Sequence, residues 1–426
     1  MSKLEVKSVE RFLGTGINYA YAIKAGPWIF LTGHEASDFE KGIPGDVAGH
    51  PGFPSFGLPR FRREGDYILT RIRKILREFG SDLPNGVRLD QFYKNINAVD
   101  PYHLARKANF GGYIPPSTSV IMDRLLTGDT NISTSMIAVV PGKDWEVIRI
   151  KTSGINAPAS SGFAPAITCN EFVFVAGQMA SDAEGLDPKA HMPEHSRWHG
   201  SEIRLQTHYL IRDRLEPALK GAGSSLKQSI KAQVYIQERL DAVPDFMHVW
   251  NEYFSDIPCA LTVVPTADFN TKGGIIEINL IALTDGASRR KEVITADVPK
   301  MASYGPCVKV GEFLFPSGLM AVGADGHVID GSRSADYSAV AHAGWTQADA
   351  VYSYAEAYCK AAGTSMQNML RAQYYVTDAR EFAGISAAWM SRYGKQPHPF
   401  LVVEVPDDML AMHAVLTADF WIHTAA

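Results

Sequence analysis

The sequence predicts an α+β protein made of three tandem copies of one small domain. Three observations carry that reading. An apolar strand ending in a small residue and a glycine occurs three times, as WIFLTGHEASD from Trp28, FVFVAGQMASDAEG from Phe172 and FLFPSGLMAVGADG from Phe313, 144 and then 141 residues apart. Each copy is followed by a helical stretch, over residues 67–79, 208–222 and 350–362, that stops at a glycine: Gly80, Gly223 and Gly363. A proline (Pro115, Pro258 or Pro397) stands before the closing pair of strands each time. A repeat of this length is a whole domain, since solenoid and propeller units run to only about 20–50 residues.

The elements follow in order. The strand–glycine motif gives the first strand pairing of each unit and a loop with acidic or glycine punctuation. The helix behind it shows a buried face in the second unit, where Leu210, Leu215, Leu219 and Ala222 share a side. The glycine after each helix takes the left-handed conformation that ends helices most easily. A β-rich run comes next (QFYKNINAV, IKAQVYI, LRAQYYV), then an aromatic-rich helix, clearest in FMHVWNEYF and ISAAWMSRY. In GIIEINLIAL, Ile276, Ile278 and Leu280 alternate with Glu277, Asn279 and Ile281, the pattern of a half-buried strand. The expected order is β-β-α-β-α-β-β, three times over, in domains of residues 1–150, 151–294 and 295–426. The charged stretch GASRRKEV, residues 286–293, is the better-marked linker.

Composition sets the function classes aside one by one. The 426 residues are 46% hydrophobic and 20% charged, as expected for packed domains, and carry a net charge of −5. Basic residues are interspersed with acidic ones, so no nucleic-acid surface is expected. The start, MSKLEVKSVERF, lacks the apolar core of a signal peptide, and no apolar run approaches the ~20 residues of a membrane span. Cys169, Cys259, Cys307 and Cys359 lack metal-ligand spacing and read as reduced, buried thiols of a cytoplasmic protein. HMPEHSRWHG places His191, Glu194, His195 and His199 close together, but Pro193 breaks the helix that such a zinc signature needs. No cofactor and no metal are expected.

These residues resemble the RidA (YjgF) family. The shared features are an aromatic near the start of each copy, a strand ending in Ser-Gly-Gln, a GAG-type helix end and a proline before the final strands. The middle copy carries them most fully, in VAGQMASDAEG, GAGSSLKQSIKAQVYI and NEYFSDIPCALTVV. The resemblance covers nearly the whole chain. It implies three RidA-like (chorismate-mutase-like) domains closed into an intramolecular pseudo-trimer, helices outside and sheets inside, in a chain that is itself monomeric or dimeric. It also implies a site at each of three unlike junctions, where an imine or enamine is hydrolysed to a ketone and ammonia. Residue by residue, the sequence departs from the family. The arginine that pairs with the substrate carboxylate is matched by Ser117, Ala260 and Pro399. The water-placing glutamate of the last strand falls at Ser135, Asn279 and Val415. The aromatic hydroxyl survives as Tyr19 and Tyr304 but is Phe163 in the middle copy, and the serine of Ser-Gly survives only at Ser317.

Diverged copies let one junction keep a site while the others become structural. The candidate catalytic residues are His34 and Glu35, which follow Thr32-Gly33 where the family has glutamine, and Tyr304 with Ser317. A histidine there can move a proton near neutral pH; as a purely structural residue it would bond to backbone. The candidate binding residues are Tyr19, Thr32, Gly33, Ser117, Arg124, Gly177, Gln178, Asn279 and Gly318. Arg124 would supply a carboxylate-binding cation from a shifted position, or else form a surface ion pair. The expected reaction is cofactor-independent hydrolytic deamination of a small carboxylate metabolite, an imine, enamine or amino-substituted unsaturated acid, at an inter-domain cleft. The alternatives are a hydrolase or lyase of an aromatic or cyclic acid, as in the RidA-like chorismatases, and a non-catalytic ligand-binding protein.

Overall fold

The structure, a computed structural model, describes residues 4–424 apart from 10–11, 13–14, 39–40, 153–154, 156–161, 182–184, 194, 196–200, 238–239, 330–341 and 407–408. It contains three separate sheets and is mixed α and β throughout. The first runs Glu5–Val9, Tyr19–Ala25, Trp28–Glu35, Ile132–Val139, Gly86–Tyr93, Ser117–Ile121 in spatial order. All its pairs are antiparallel except the last, where the helix Val99–Phe110 crosses over and returns the chain parallel to the strand it left. The second sheet repeats the pattern with Val147–Ile150, Ala166–Cys169, Phe172–Met179, Ile276–Leu283, Ser229–Gln237 and Ala260–Thr266. The third uses Lys291–Ile294, Cys307–Val310, Phe313–Phe315, Leu416–His423, Met369–Val376 and Phe400–Glu404. The short strand Arg124–Leu125, from the first unit, extends its far edge by pairing with Val403 and Glu404.

Each unit thus opens with one strand more than the sequence pattern suggests. Val147–Ile150 and Lys291–Ile294 look like a tail and a linker in sequence because they are short and largely exposed edge strands. By hydrogen bonding they belong to the sheet that follows them.

Strand alternation divides each sheet between two environments. In Gly86–Tyr93, Leu89 and Tyr93 pack into the helix-covered core, while Asp90 and Phe92 face the other sheets. The helices Arg60–Glu78 and Val99–Phe110 cover the first sheet; Ala343–Ala361 and Phe382–Tyr393 cover the third. Over the second sheet the long helix is interrupted, with α-helix at Glu202–Tyr209 and Glu216–Gly221 joined by a π-helical turn, Leu210–Leu215. On the inner faces, corresponding residues of the three units meet. Trp28, Phe172 and Phe313 join one cluster with Phe30, Phe174, Phe315 and Trp421. Phe92, Tyr235 and Tyr375 join another.

Between these apolar clusters lies a buried polar layer. Arg88 pairs with Asp90 at 2.9 Å, Arg371 reaches the same carboxylate, and Lys231 lies 2.7 Å from Asp419. Gln233 donates to Gln373 at 2.6 Å and to Asp419 at 3.2 Å. Charges this deeply buried persist only because each of these carboxylates has a cation beside it. Strand register also fixes which residues correspond. Asp90 faces Ser135, Gln233 faces Asn279 and Gln373 faces Asp419, so the third-unit match of Asn279 is Asp419 and not Val415. Glu277 corresponds to Ser133 and Thr417.

Among the described residues no helix is long and apolar enough to cross a membrane. All four cysteines are free and buried, in line with the inert thiols expected.

Candidate functional site

A cavity of about 340 Å³ with mixed polar and apolar walls lies where the first unit meets the second. The first unit contributes His103 and Arg106 from the helix Val99–Phe110 and Ser117 and Ser119 from the strand Ser117–Ile121. The second contributes Phe163, Gly177 and Gln178, Arg214 from the π-helical turn, Asn270, Thr271 and Glu277.

Glu277 lies at the start of the strand Ile276–Leu283, and its carboxyl rests against the backbone of Gly177. A Cβ at residue 177 would stand 1.8 Å from Oε1 of Glu277 and 2.9 Å from the Thr118 hydroxyl, so only glycine leaves the carboxyl its place. Beside it the ladder is irregular between Val175 and Gln178, a β-bulge of the kind that re-aims side chains at sites. Burial pushes the Glu277 carboxyl up to about 8, against hydrogen bonds from the Ser119 backbone and the Thr118 hydroxyl that favour the anion. It therefore holds its proton at neutral pH. Asn279 does not line the cavity; it donates to the Thr118 hydroxyl at 3.0 Å and so steadies the group that faces Glu277.

Two guanidinium groups line the same cavity. Arg106 is fully buried; its Nη1 donates to Gln91 at 2.9 Å and to the hydroxyl of Ser117 at 3.2 Å. Arg214 donates from Nε to Oε1 of Gln178 at 3.2 Å. His103 is 5% exposed, and neither ring nitrogen has a protein partner. Burial and the neighbouring Arg106 and Lys107 hold its imidazole well below the usual histidine range, hence neutral.

The residues singled out from the sequence divide between this cavity and elsewhere. Ser117, Gly177 and Gln178 line it. His34, Glu35, Tyr304 and Ser317 do not, and each has another setting. His34 is buried, stacked on Tyr21 and 3.1 Å from its carbonyl oxygen, and burial holds it down at about 3, too low to shuttle protons. Glu35 is pushed up to about 7 by burial and ties down a loop by accepting from the Thr127 N–H and the Thr130 hydroxyl. The hydroxyl of Tyr19 donates to the carbonyl of Gly33 and accepts from Thr32. Gly33 packs against Leu401 of the third unit, and Ala20 N–H bonds the His398 carbonyl at 3.0 Å, so this junction is filled by backbone and side-chain packing. At the junction of the second and third units, Ser317 accepts from Leu261 N–H and donates to the Pro306 carbonyl, both at 2.8 Å, and Gly318 N–H bonds the Leu261 carbonyl. Tyr304 is 39% exposed, next to Gly305, which packs against Ser317 and Leu261. Arg124 is exposed on a short edge strand, paired across to Glu404. Of the His191–His199 cluster, Glu194 and His199 lie outside the described residues, and no metal-binding group of His, Cys, Asp or Glu occurs among the described ones.

Arg106 and Arg214 are not among the candidates the sequence offers, and Glu277 is only a weaker one, since strand alternation points it away from Asn279; yet the sequence holds a signal for the first. Val99–Phe110, Val243–Phe254 and Phe382–Tyr393 align without gaps, and their eighth residues are Arg106, Trp250 and Trp389. The first unit places a cation where the other two bury an indole. That cation stands directly behind Ser117, at the position matched to the family arginine.

Residues 154–284 match the family model described as Endoribonuclease L-PSP. No curated protein sequence matches the chain. Among solved structures, yeast Mmf1 is 20% identical over 33% of this chain and 100% of its own, with a TM-score of 0.27. A putative endoribonuclease from Thermotoga maritima is 25% identical over 32% of this chain and 98% of its own, at 0.26. A chorismatase is 14% identical over 65% of this chain and 79% of its own, at 0.42.

Proposed function

We propose that the chain is a cofactor-independent hydrolytic deaminase of a small carboxylate-bearing imine or enamine, working in the cleft between its first and second units. In this reading three RidA-like domains close into one pseudo-trimer, and two of its three junctions have become structural. The observation that carries the reading is Glu277, a carboxyl kept protonated at neutral pH in a cavity that Arg106 also lines. The family match over residues 154–284 supports the RidA-like fold of the unit that supplies Glu277, Gly177 and Gln178.

The chemistry follows from the residues. The guanidinium of Arg106 takes the substrate carboxylate, with the Ser117 hydroxyl alongside, as a planar fork of donors suits two oxygens. Neutral Glu277 protonates the imine nitrogen and becomes a carboxylate. It then takes a proton from water as the water oxygen bonds to the imine carbon. Returned to nitrogen, that proton lets the C–N bond break and ammonia leave. The carboxylate recovers a proton from the new carbonyl oxygen, so imine and water yield ketone and ammonia with Glu277 unchanged. A proton donor of this kind contributes about 10²–10⁴-fold.

The test is to follow ammonia and carbonyl product from 2-aminoacrylate generated in situ. Wild-type chain is expected to accelerate release, with kcat/KM level up to a pH of about 8 and falling above it as Glu277 ionises. No ammonia from wild type, or a rate that rises through pH 8, would overturn this assignment.

A further inference from the structure

We infer that His103 contacts the substrate and selects one that carries an uncharged hydrogen-bonding group, a hydroxyl or an amide, beside the atoms that react. The inference rests on the cleft being the working site and goes beyond the reaction to the substrate class.

Other buried histidines of the chain are tied to the protein through a ring nitrogen. Nε2 of His34 lies 3.1 Å from the Tyr21 carbonyl, and Nε2 of His398 lies 2.7 Å from the Tyr374 hydroxyl. His103 is 5% exposed and lines the cavity, yet neither Nδ1 nor Nε2 has a hydrogen-bond partner. A buried polar group left unpaired is costly, and a ring with both nitrogens in that state calls for a partner from outside the chain.

Placement is a second sign. His103 is the fifth residue of Val99–Phe110, and the fifth residues of the two aligned helices are Met247 and Ser386. Met247 packs against the apolar core of the second unit, and Ser386 is buried in the third. The first copy alone sets an imidazole at this place, on the helix that walls the cavity.

The state of the ring decides what kind of partner it takes. Burial, with Arg106 and Lys107 nearby, keeps it neutral, so it offers one donor and one acceptor. A hydroxyl or an amide both donates and accepts, and so serves either nitrogen in either tautomer. An ether or carboxylate oxygen serves only the N–H, and an alkyl chain serves neither. Solvent can satisfy the ring in the free cleft, but a ligand that displaces it without replacing its hydrogen bonds loses affinity. Ile96, Val99, Phe163 and Met179 line the same cavity with side chains that cannot take over those bonds. A site built to bond a hydroxyl rejects the analogue without it, because its own polar groups are then left bare.

Calorimetric titration of the full chain with butyrate, 3-hydroxybutyrate and 4-hydroxybutyrate tests this without any turnover, and the shared carboxylate cancels in the comparison. At least one hydroxy acid is expected to bind about fivefold or more tightly than butyrate, the worth of one hydrogen bond. His103→Leu is expected to bring the three acids to similar affinity. His103→Gln, whose amide donates and accepts, is expected to keep a preference. Equal binding of the three acids by wild type, no binding of any, or a preference that survives in His103→Leu would overturn the inference. A hydroxy-acid preference with no ammonia release from 2-aminoacrylate would remove the deaminase reading and leave this one standing; ammonia release with no such preference would do the reverse.

Discussion

Replacing Glu277 by glutamine separates a buried acid from every other feature of the fold. In the native chain burial raises this carboxyl to about 8, against an ordinary value of 4.5 when the chain unfolds. Between those values the native state binds a proton that the unfolded state has released. Stability therefore falls as pH rises from 4.5 to 8 and levels off above, the direction for an acid raised on folding. Each pH unit of that gap costs about 1.4 kcal/mol, so the full ceiling is about 5 kcal/mol. The glutamine side chain has the same shape and never ionises. Wild type and Glu277→Gln should therefore unfold at similar temperatures near pH 5, and the variant should be the more stable by about 2–5 kcal/mol at pH 9. Glu35, raised to about 7, titrates in both chains and cancels in the difference. Scanning calorimetry at pH 5, 7 and 9 measures it directly. Unfolding temperatures that stay parallel across that range would refute the claim that Glu277 is a buried, neutral acid. The same substitution should lower turnover by about 10²-fold or more, because the amide cannot give up a proton.

Gly177→Ala puts a methyl 1.8 Å from the Glu277 carboxyl oxygen, so it should displace the acid, abolish most turnover and cost about 1–3 kcal/mol of stability, read by denaturant unfolding. Lys231→Met leaves the Asp419 carboxylate buried without its cation; denaturant unfolding should show a loss of about 3–5 kcal/mol, while the binding cleft is untouched. Ser317→Ala removes a hydroxyl that bridges the second and third units; it should lower stability by about 1 kcal/mol and leave ammonia release within about threefold of wild type.

Much of the fold is legible in the sequence because repetition is a strong signal. The strand–glycine motifs fall on Trp28–Glu35, Phe172–Met179 and Phe313–Phe315, and the helix before each capping glycine is present in all three units. The opening strands EVKSV, VIRI and KEVI give no such signal, because edge strands with exposed, charged residues lack an apolar face to read. The site is harder. Sequence spacing alone sets the last strand of the third copy four residues out of register, at Val415. Strand pairing makes Asp419 the counterpart of Asn279, and Ser133 and Thr417 the counterparts of Glu277. His34 stands where a proton shuttle would be useful, but stacking on Tyr21 and complete burial make it a core residue. Arg106 shows in the sequence only as an arginine at the position of Trp250 and Trp389. Its meaning needs the fold, because Ser117, the residue it stands behind, is eleven positions away in the chain and on another element.

The most direct measurement is the rate of ammonia release from 2-aminoacrylate by Arg106→Met beside wild type. Methionine keeps much of the arginine's length and apolar packing, so the loss of the guanidinium is isolated. If the cleft between the first and second units is the working site and Arg106 holds the carboxylate, kcat/KM should fall by about 10²-fold, with the larger part in KM. A folded Arg106→Met chain that releases ammonia as fast as wild type would contradict the account, and would place the chemistry elsewhere in the molecule.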